Sequence, residues 1–253
     1  MRSIDLNCDM GESYGRYILG RDEELMPYLT SVSLACGFHA GDPVVIQRTV
    51  ENAAKHNLAI GAHPGYPDLQ GFGRRRMEMT PEEVEAMVLY QIGALWGFIR
   101  SIGVEMTHVK PHGALYNQAA EDYQLAKAII LAVRRFSRNL TIVGMAGSIL
   151  VTIGLDMGMK IAQEGFVERG YLANGRLMPR EYPGSIIHDP VKAAEQAVRL
   201  AKEGINIQQE NLPENIQIDT LCIHGDSPNA LDVAIAVRSA LEEAGIIIKN
   251  FAA

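Results

Sequence analysis

Acidic, basic and imidazole side chains recur in five short runs of this chain. They are Asp5-Leu-Asn-Cys-Asp-Met-Gly-Glu12, Cys36-Gly-Phe-His-Ala-Gly-Asp42, Gly61-Ala-His-Pro-Gly65, Lys110-Pro-His-Gly113 and His224-Gly-Asp226. Such side chains suit hydrolysis: a carboxylate or imidazole takes a proton from water, and a cation stabilises the oxyanion that forms. Lys110 and His112 flank Pro111 at the end of an apolar run, so the proline fixes their separation. Burying an unpaired ammonium is costly, and Asp9 or Glu12 would keep this one charged. Replacing it, as in Lys110→Met, is expected to lower turnover about 100- to 1000-fold with the fold intact. Asp9, Glu12, His39, His63, Lys110 and His112 are therefore the catalytic candidates.

Two further constellations carry chemistry. Asp9, His39 and His63 offer one carboxylate and two imidazoles, a donor set suited to Zn, Mn or Fe. No His-Glu-x-x-His or paired-cysteine signature reinforces it. The run Gly71-Phe-Gly-Arg-Arg-Arg76 places Arg74 and Arg75 where they would hold a substrate carboxylate or phosphate, and a solvated loop explains it equally well. Asn7, Glu164 and His224 complete the substrate-binding candidates. A lone strand-end histidine is more often structural than catalytic, but His39, His63, His112 and His224 stand at four different strand ends. His108 reads as structural, His56 as a partner of a helix C-terminus, and His188 as a loop residue. Cys8, Cys36 and Cys222 lie in apolar contexts and read as small core residues.

Those groups converge only if the right elements carry them. Apolar runs predict strands at Ile4–Cys8, Val32–Cys36, Leu58–Ala62, Met106–Lys110, Leu140–Met145, Met159–Gln163 and Thr220–Ile223, with an eighth candidate at Ile246–Lys249. Helices lie between them. Asp42-Pro43, Thr80-Pro81, Asp189-Pro190 and Ser227-Pro228 each set a capping residue before proline at the first helical position. Glu83 completes a capping box with Thr80, and Val84, Val88, Ile92, Leu95 and Ile99 give the helix from Pro81 to about Ile102 one apolar face. Alternating strands and helices mean a parallel sheet. Neither a G-x-G-x-x-G turn nor a P-loop is present, which favours a closed barrel over an open nucleotide-binding sheet. In the first strand Asp5 and Asn7 share a face that would point into the barrel. Gly165–Ser185 reads as a long loop over its mouth.

The 253 residues fit a single barrel domain spanning 1–253, an α/β, irregular TIM-like architecture with about seven parallel strands and outer helices. A net charge of -7 argues against nucleic-acid binding and against an anionic membrane surface. No apolar run approaches the roughly 18 residues needed to span a bilayer. The expected location is cytoplasmic.

The ordered motifs Asp5–Glu12, Ala35–Asp42, Gly61–Asp68, Phe72–Arg75, Val109–Asn117, Glu164–Tyr171 and Cys222–Asp226 resemble the LamB/YcsF-type family, the A subunits of bacterial 5-oxoprolinase. The resemblance implies a glycoside hydrolase/deacetylase-like barrel. It also implies an ATP-dependent hydrolase, with Mg2+ accompanying the nucleotide, that opens 5-oxo-L-proline to L-glutamate while cleaving ATP to ADP and phosphate. Subunits B and C are the implied partners, and a homo-oligomer is compatible with the chain. Two alternatives remain open at this level: a metal-dependent, deacetylase-like hydrolase using Asp9, His39 and His63, and a non-catalytic component that presents 5-oxoproline to its partners. Whether ATP contacts this chain or a partner is also open.

Overall fold

The computed structural model describes residues 2–179, 181–206 and 215–251. Seven parallel strands close on themselves: β1 (Ser3–Met10), β2 (Ser31–Ala35), β3 (Ala59–His63), β4 (Met106–Val109), β5 (Thr141–Met145), β6 (Lys160–Phe166) and β9 (Thr220–Ile223). Closure comes from β1, whose Asp5–Cys8 stretch pairs with β9 while Asn7–Met10 pairs with β2. A short antiparallel ribbon, β7 (Ile205–Asn206) and β8 (Asn215–Ile216), precedes β9. The eighth candidate is β10 (Ile247–Ile248), which pairs in parallel with the start of β1. The sequence thus anticipates a closed, TIM-like α/β barrel of seven parallel strands.

Strand alternation sorts the side chains. Ile4, Leu6, Cys8 and Met10 of β1 face the helices and are fully buried, while Asp5 and Asn7 point inward and are buried too. After the short α1 (Asp22–Leu25), the outer helices include α2 (Pro43–Lys55), α3 (Pro81–Ser101), α5 (Tyr123–Phe136), α6 (Ile149–Asp156), α7 (Pro190–Glu203) and α8 (Ala230–Glu243), with α4 (Gly113–Ala119) a short helix after β4. On α3 the five apolar residues from Val84 to Ile99 are all buried, and the Thr80–Glu83 capping box is formed. Asp42 caps α2 by accepting from Val44 and Val45 amides.

Two expectations need correction. β6 runs through Phe166 instead of stopping at Gln163, so Glu164 lies within the strand and faces the interior. Helix α8 begins at Ala230, not at Pro228. The Ser227 hydroxyl is turned toward Glu168 Oε1 at 3.4 Å and is not bonded to the helix, which leaves the first turn without a side-chain cap.

The segment after β6 is irregular, with isolated bridges Arg169–Ile186 and Tyr171–Leu177. Arg169 ties it together by donating to the carbonyls of Met178 and Ser185. No helix among the described residues is long and apolar enough to cross a membrane.

Candidate active site

A continuous hydrogen-bonded network fills the barrel interior. Asp5 Oδ1 accepts from Thr30 Oγ1 at 2.6 Å, and Oδ2 accepts from Ser31 Oγ at 2.8 Å and from the Thr220 hydroxyl. Thr220 Oγ1 in turn accepts from Asn7 Nδ2 at 2.6 Å. Asn7 also donates to Glu164 Oε1 at 3.1 Å, and its Oδ1 accepts from Lys110 Nζ at 3.1 Å. Lys110 Nζ lies 2.6 Å from Glu164 Oε1 and 3.0 Å from Asp9 Oδ1, and Tyr116 donates to Glu164 Oε2 at 2.6 Å. Burial opposes the Lys110 charge, but Asp9, Cys222 and Glu164 outweigh it and hold the ammonium well above the ordinary lysine range. Burial also works against an ionised Asp9, yet His63 and Lys110 hold that carboxyl below the usual range. Burial pushes Asp5 up to about 6, the largest influence on a group that three hydroxyls otherwise favour as a carboxylate.

The Lys110 side chain is only 3% exposed and lies among Asp9, Glu164, Asn7 and Cys222, donating to Asn7 Oδ1 at 3.1 Å and to Cys222 Sγ at 3.4 Å. Its charge helps to hold Asp9 ionised.

Nearer the mouth, four donors converge. Glu12 Oε1 lies 3.2 Å from His39 Nε2, 3.3 Å from His112 Nδ1 and 4.0 Å from His63 Nε2. His63 Nε2 and His112 Nδ1 are 3.0 Å apart, and the His39 and His112 rings stack with centroids 3.7 Å apart. Glu12, His39, His63 and His112 present atoms that all lie within 4.8 Å of one another. Asp9 lies just outside this group, with Oδ1 on Lys110 and Oδ2 3.4 Å from His63 Nε2. Of the residues expected from sequence to hold a metal, His39 and His63 belong to the group, which adds Glu12 and His112. Burial pushes Glu12 up to about 8, lowers His39 to about 3 and His112 to about 4, and sets His63 well below its ordinary value.

Local backbone makes this packing feasible. His63 ends β3, and His112 precedes the short helix α4 (Gly113–Ala119). Phe72 adopts a positive φ of 55°, rare for a residue with a side chain, and its carbonyl accepts from His112 Nε2 at 2.8 Å. Gly73 follows at φ 62°, and a Cβ there would meet His112 and His39 atoms at 2.8 Å. His108 stays out of the site, held by Ser33 and Thr107.

The mouth opens into a cleft of about 810 Å³ lined by Glu12, Tyr14, Tyr17, His39, Phe72, Arg74 and Asp226, among others. Arg74 spans the rim to Asp226 at 2.9 Å and lies over the Phe72 ring. Arg75 points elsewhere and is bound to Asp68. Its neighbour's cleft position and its own outward one follow from a turn, which sequence spacing does not encode. His224 sits across the mouth, where Glu168 accepts from its backbone N–H at 2.8 Å and lies 3.3 Å from its Nδ1. Three residues that matter here escaped sequence reasoning, Tyr116, Glu168 and Thr220, and Asp226 stood in one of the five runs without a part assigned to it. Tyr116 was traceable, since it stands one helical turn after His112.

These features define a class first: a closed parallel barrel with acid–base groups gathered at the C-terminal strand ends, the place where such barrels carry their active sites. A family 4 carbohydrate esterase from Streptomyces lividans shares the fold, with a TM-score of 0.53 over 98% of this chain and 91% of that one at 10% identity. The likeness to a lactam utilization protein from Thermus thermophilus is far closer, with a TM-score of 0.91 at 48% identity over 98% of this chain and 100% of that one. The LamB/YcsF family pattern matches residues 4–253, and the chain belongs to that family. Its curated relatives include the 5-oxoprolinase A subunit of Chloroflexus aggregans, 49% identical over 99% of each chain, and that of Pyrococcus furiosus, 48% identical over 96% of this chain and 95% of the relative.

Proposed function

We propose that this chain is the A component of an ATP-dependent 5-oxoprolinase and acts with subunits B and C to open 5-oxo-L-proline to L-glutamate. The observation that carries the reading is the end-to-end identity of 48–49% with proteins named as 5-oxoprolinase A subunits. A lactam amide is resonance-stabilised and resists water. Transfer of the γ-phosphoryl group of Mg2+-bound ATP to the ring carbonyl oxygen would release ADP and leave an activated carbon. Water adds to that carbon, the ring C–N bond opens with a proton taken up by the nitrogen to leave an acyl phosphate, and a second water releases phosphate to give L-glutamate.

The chain's own residues fit the hydrolytic part. Asp9, 24% exposed and kept ionised by Lys110, is the base that accepts the proton of the attacking water. Lys110, Glu164, Asn7 and Tyr116 fix its position from below. Arg74, at the rim of the cleft, is placed to take the substrate carboxylate in exchange for Asp226.

Reconstitution tests this reading. Mixing the chain with subunits B and C, ATP and 5-oxoproline should yield glutamate and phosphate, with little turnover from the chain alone. Asp9→Asn preserves the contact with Lys110 and should lower the coupled rate about 100- to 10,000-fold. Absence of glutamate from the complete mixture would remove the assignment. Full turnover without the partners would remove the partner requirement, and a purely presenting role would leave Asp9→Asn near normal.

A further inference from the structure

Two backbone carbonyls decide which nitrogens carry protons at the barrel mouth. A carbonyl oxygen only accepts, so His63 Nδ1, 2.7 Å from Lys110 O, must bear a hydrogen. For the same reason His112 Nε2, 2.8 Å from Phe72 O, must bear one. In the neutral rings the remaining nitrogens, His63 Nε2 and His112 Nδ1, are then both lone pairs, and they face each other at 3.0 Å. Asp9 Oδ2 lies 3.4 Å and Glu12 Oε1 4.0 Å from the same His63 nitrogen. Neither ring aims a donor at this point, and an ion there would replace the proton that burial favours on Glu12.

We propose that Glu12 Oε1, His39 Nε2, His63 Nε2 and His112 Nδ1 bind one divalent transition-metal ion of the zinc type. A tetrahedron with 2.0–2.1 Å bonds has edges of roughly 3.3–3.4 Å. Four of the six edges between these donors measure 3.2, 3.3, 4.0 and 3.0 Å, and none of the six exceeds 4.8 Å. The His39 and His112 rings stack in parallel, so His39 must turn from that stack to aim its lone pair at the ion. Three imidazoles and one carboxylate form a donor set that zinc favours.

The surroundings have the form of a metal site's outer shell. In such sites each ligating histidine donates its other N–H to a carbonyl or carboxylate, which fixes the ring. Here Lys110 O and Phe72 O do so for His63 and His112, while buried His39 Nδ1 has no such partner among the described residues. The Phe72 carbonyl is held in place by a backbone turn with two successive positive φ values, 55° at Phe72 and 62° at Gly73. Glu12 lines the open cleft, which gives an ion its route in.

The inference stands apart from the oxoprolinase reading, because metal content is measured with no substrate, nucleotide or partner present. Tag-free protein purified without chelator should carry close to one equivalent of zinc, or take up one Co2+ after metal removal, with the visible absorption of four-coordinate cobalt. His63→Gln with His112→Gln in one chain should abolish the cobalt spectrum, whereas His56→Gln, on the exposed surface, should leave it unchanged. Nitrogen-15 NMR of the wild-type imidazoles reports the alternative directly, a proton shared between His63 and His112. Wild-type protein that binds no stoichiometric metal, or that shows this shared proton with Zn2+ in excess, overturns the proposal. So does a cobalt spectrum that survives the double replacement. If the double variant does not fold, the wild-type measurements decide alone.

Discussion

In the network running from Asp5 through Thr220, Asn7, Glu164 and Lys110, donors face acceptors, down to the Tyr116 hydroxyl on Glu164. A short way along the same strands, the His63 and His112 lone pairs face each other at 3.0 Å beside Glu12 and His39. Both clusters are buried, and both draw on residues far apart in sequence. The first links its members through hydrogen bonds and ion pairs, an arrangement that specifies the barrel. The second is the place of the proposed metal ion.

The sharpest way to break that contrast is at Lys110. Lys110→Met removes the cation from buried Glu164 and from the partly exposed Asp9, and removing one member of a buried ionic pair typically costs ~3–5 kcal/mol. Chemical denaturation should show a loss of that size together with loss of coupled turnover. A variant as stable as the parent would mean that the network does not specify the barrel.

Asp5 probes the same network through pH. Its folded-state value of about 6 lies above the ordinary 3.8, so the folded protein binds this proton more tightly than the unfolded chain does. Stability contributed by protonated Asp5 is present below pH 4 and is lost as pH rises through 6. At about 1.4 kcal/mol per pH unit, the change across that window is up to about 3 kcal/mol. Comparing denaturation of the parent and of Asp5→Asn between pH 4 and 7 isolates this contribution, which should be missing from the variant. Parallel stability profiles would contradict it.

Tyr116→Phe is the mildest of the three. It removes the donor from Glu164 Oε2 while leaving the ring in its packing, and an orphaned buried acceptor costs ~1–3 kcal/mol. A stability change within measurement error would show that Glu164 finds another donor.

Much of this arrangement is legible in the sequence because it depends on periodicity. Alternation along Ile4–Cys8 puts Asp5 and Asn7 inside, and apolar runs ending in His63 and Lys110 point to one end of a barrel. Partner choice is different in kind. Lys110 meets Glu164 and Asp9 across strand order, and nothing local tells Asp9, placed between Asn7 and Glu12, that it faces lysine with one oxygen and His63 with the other. Arg74 and Arg75 are equivalent as letters, yet one turn sends the first to Asp226 and the second to Asp68. Ser227 carries a sound capping pattern and loses it to Glu168, a residue 59 positions away. Such competition between a local signal and a distant acceptor leaves no trace in spacing.

Closure of the barrel by β9 against β1 has a kinetic consequence. Asn7 and Thr220 are 213 residues apart in the chain, and Asp5 and Thr220 are 215 apart. Contacts of that sequence separation are slow to form, since a long loop must be ordered before they reward it. On a ribosome the first strand waits for nearly the whole polypeptide to emerge before its inward side chains find their mates. Asp9, the base proposed above, lies on that strand, so its surroundings are completed only by the final closing step.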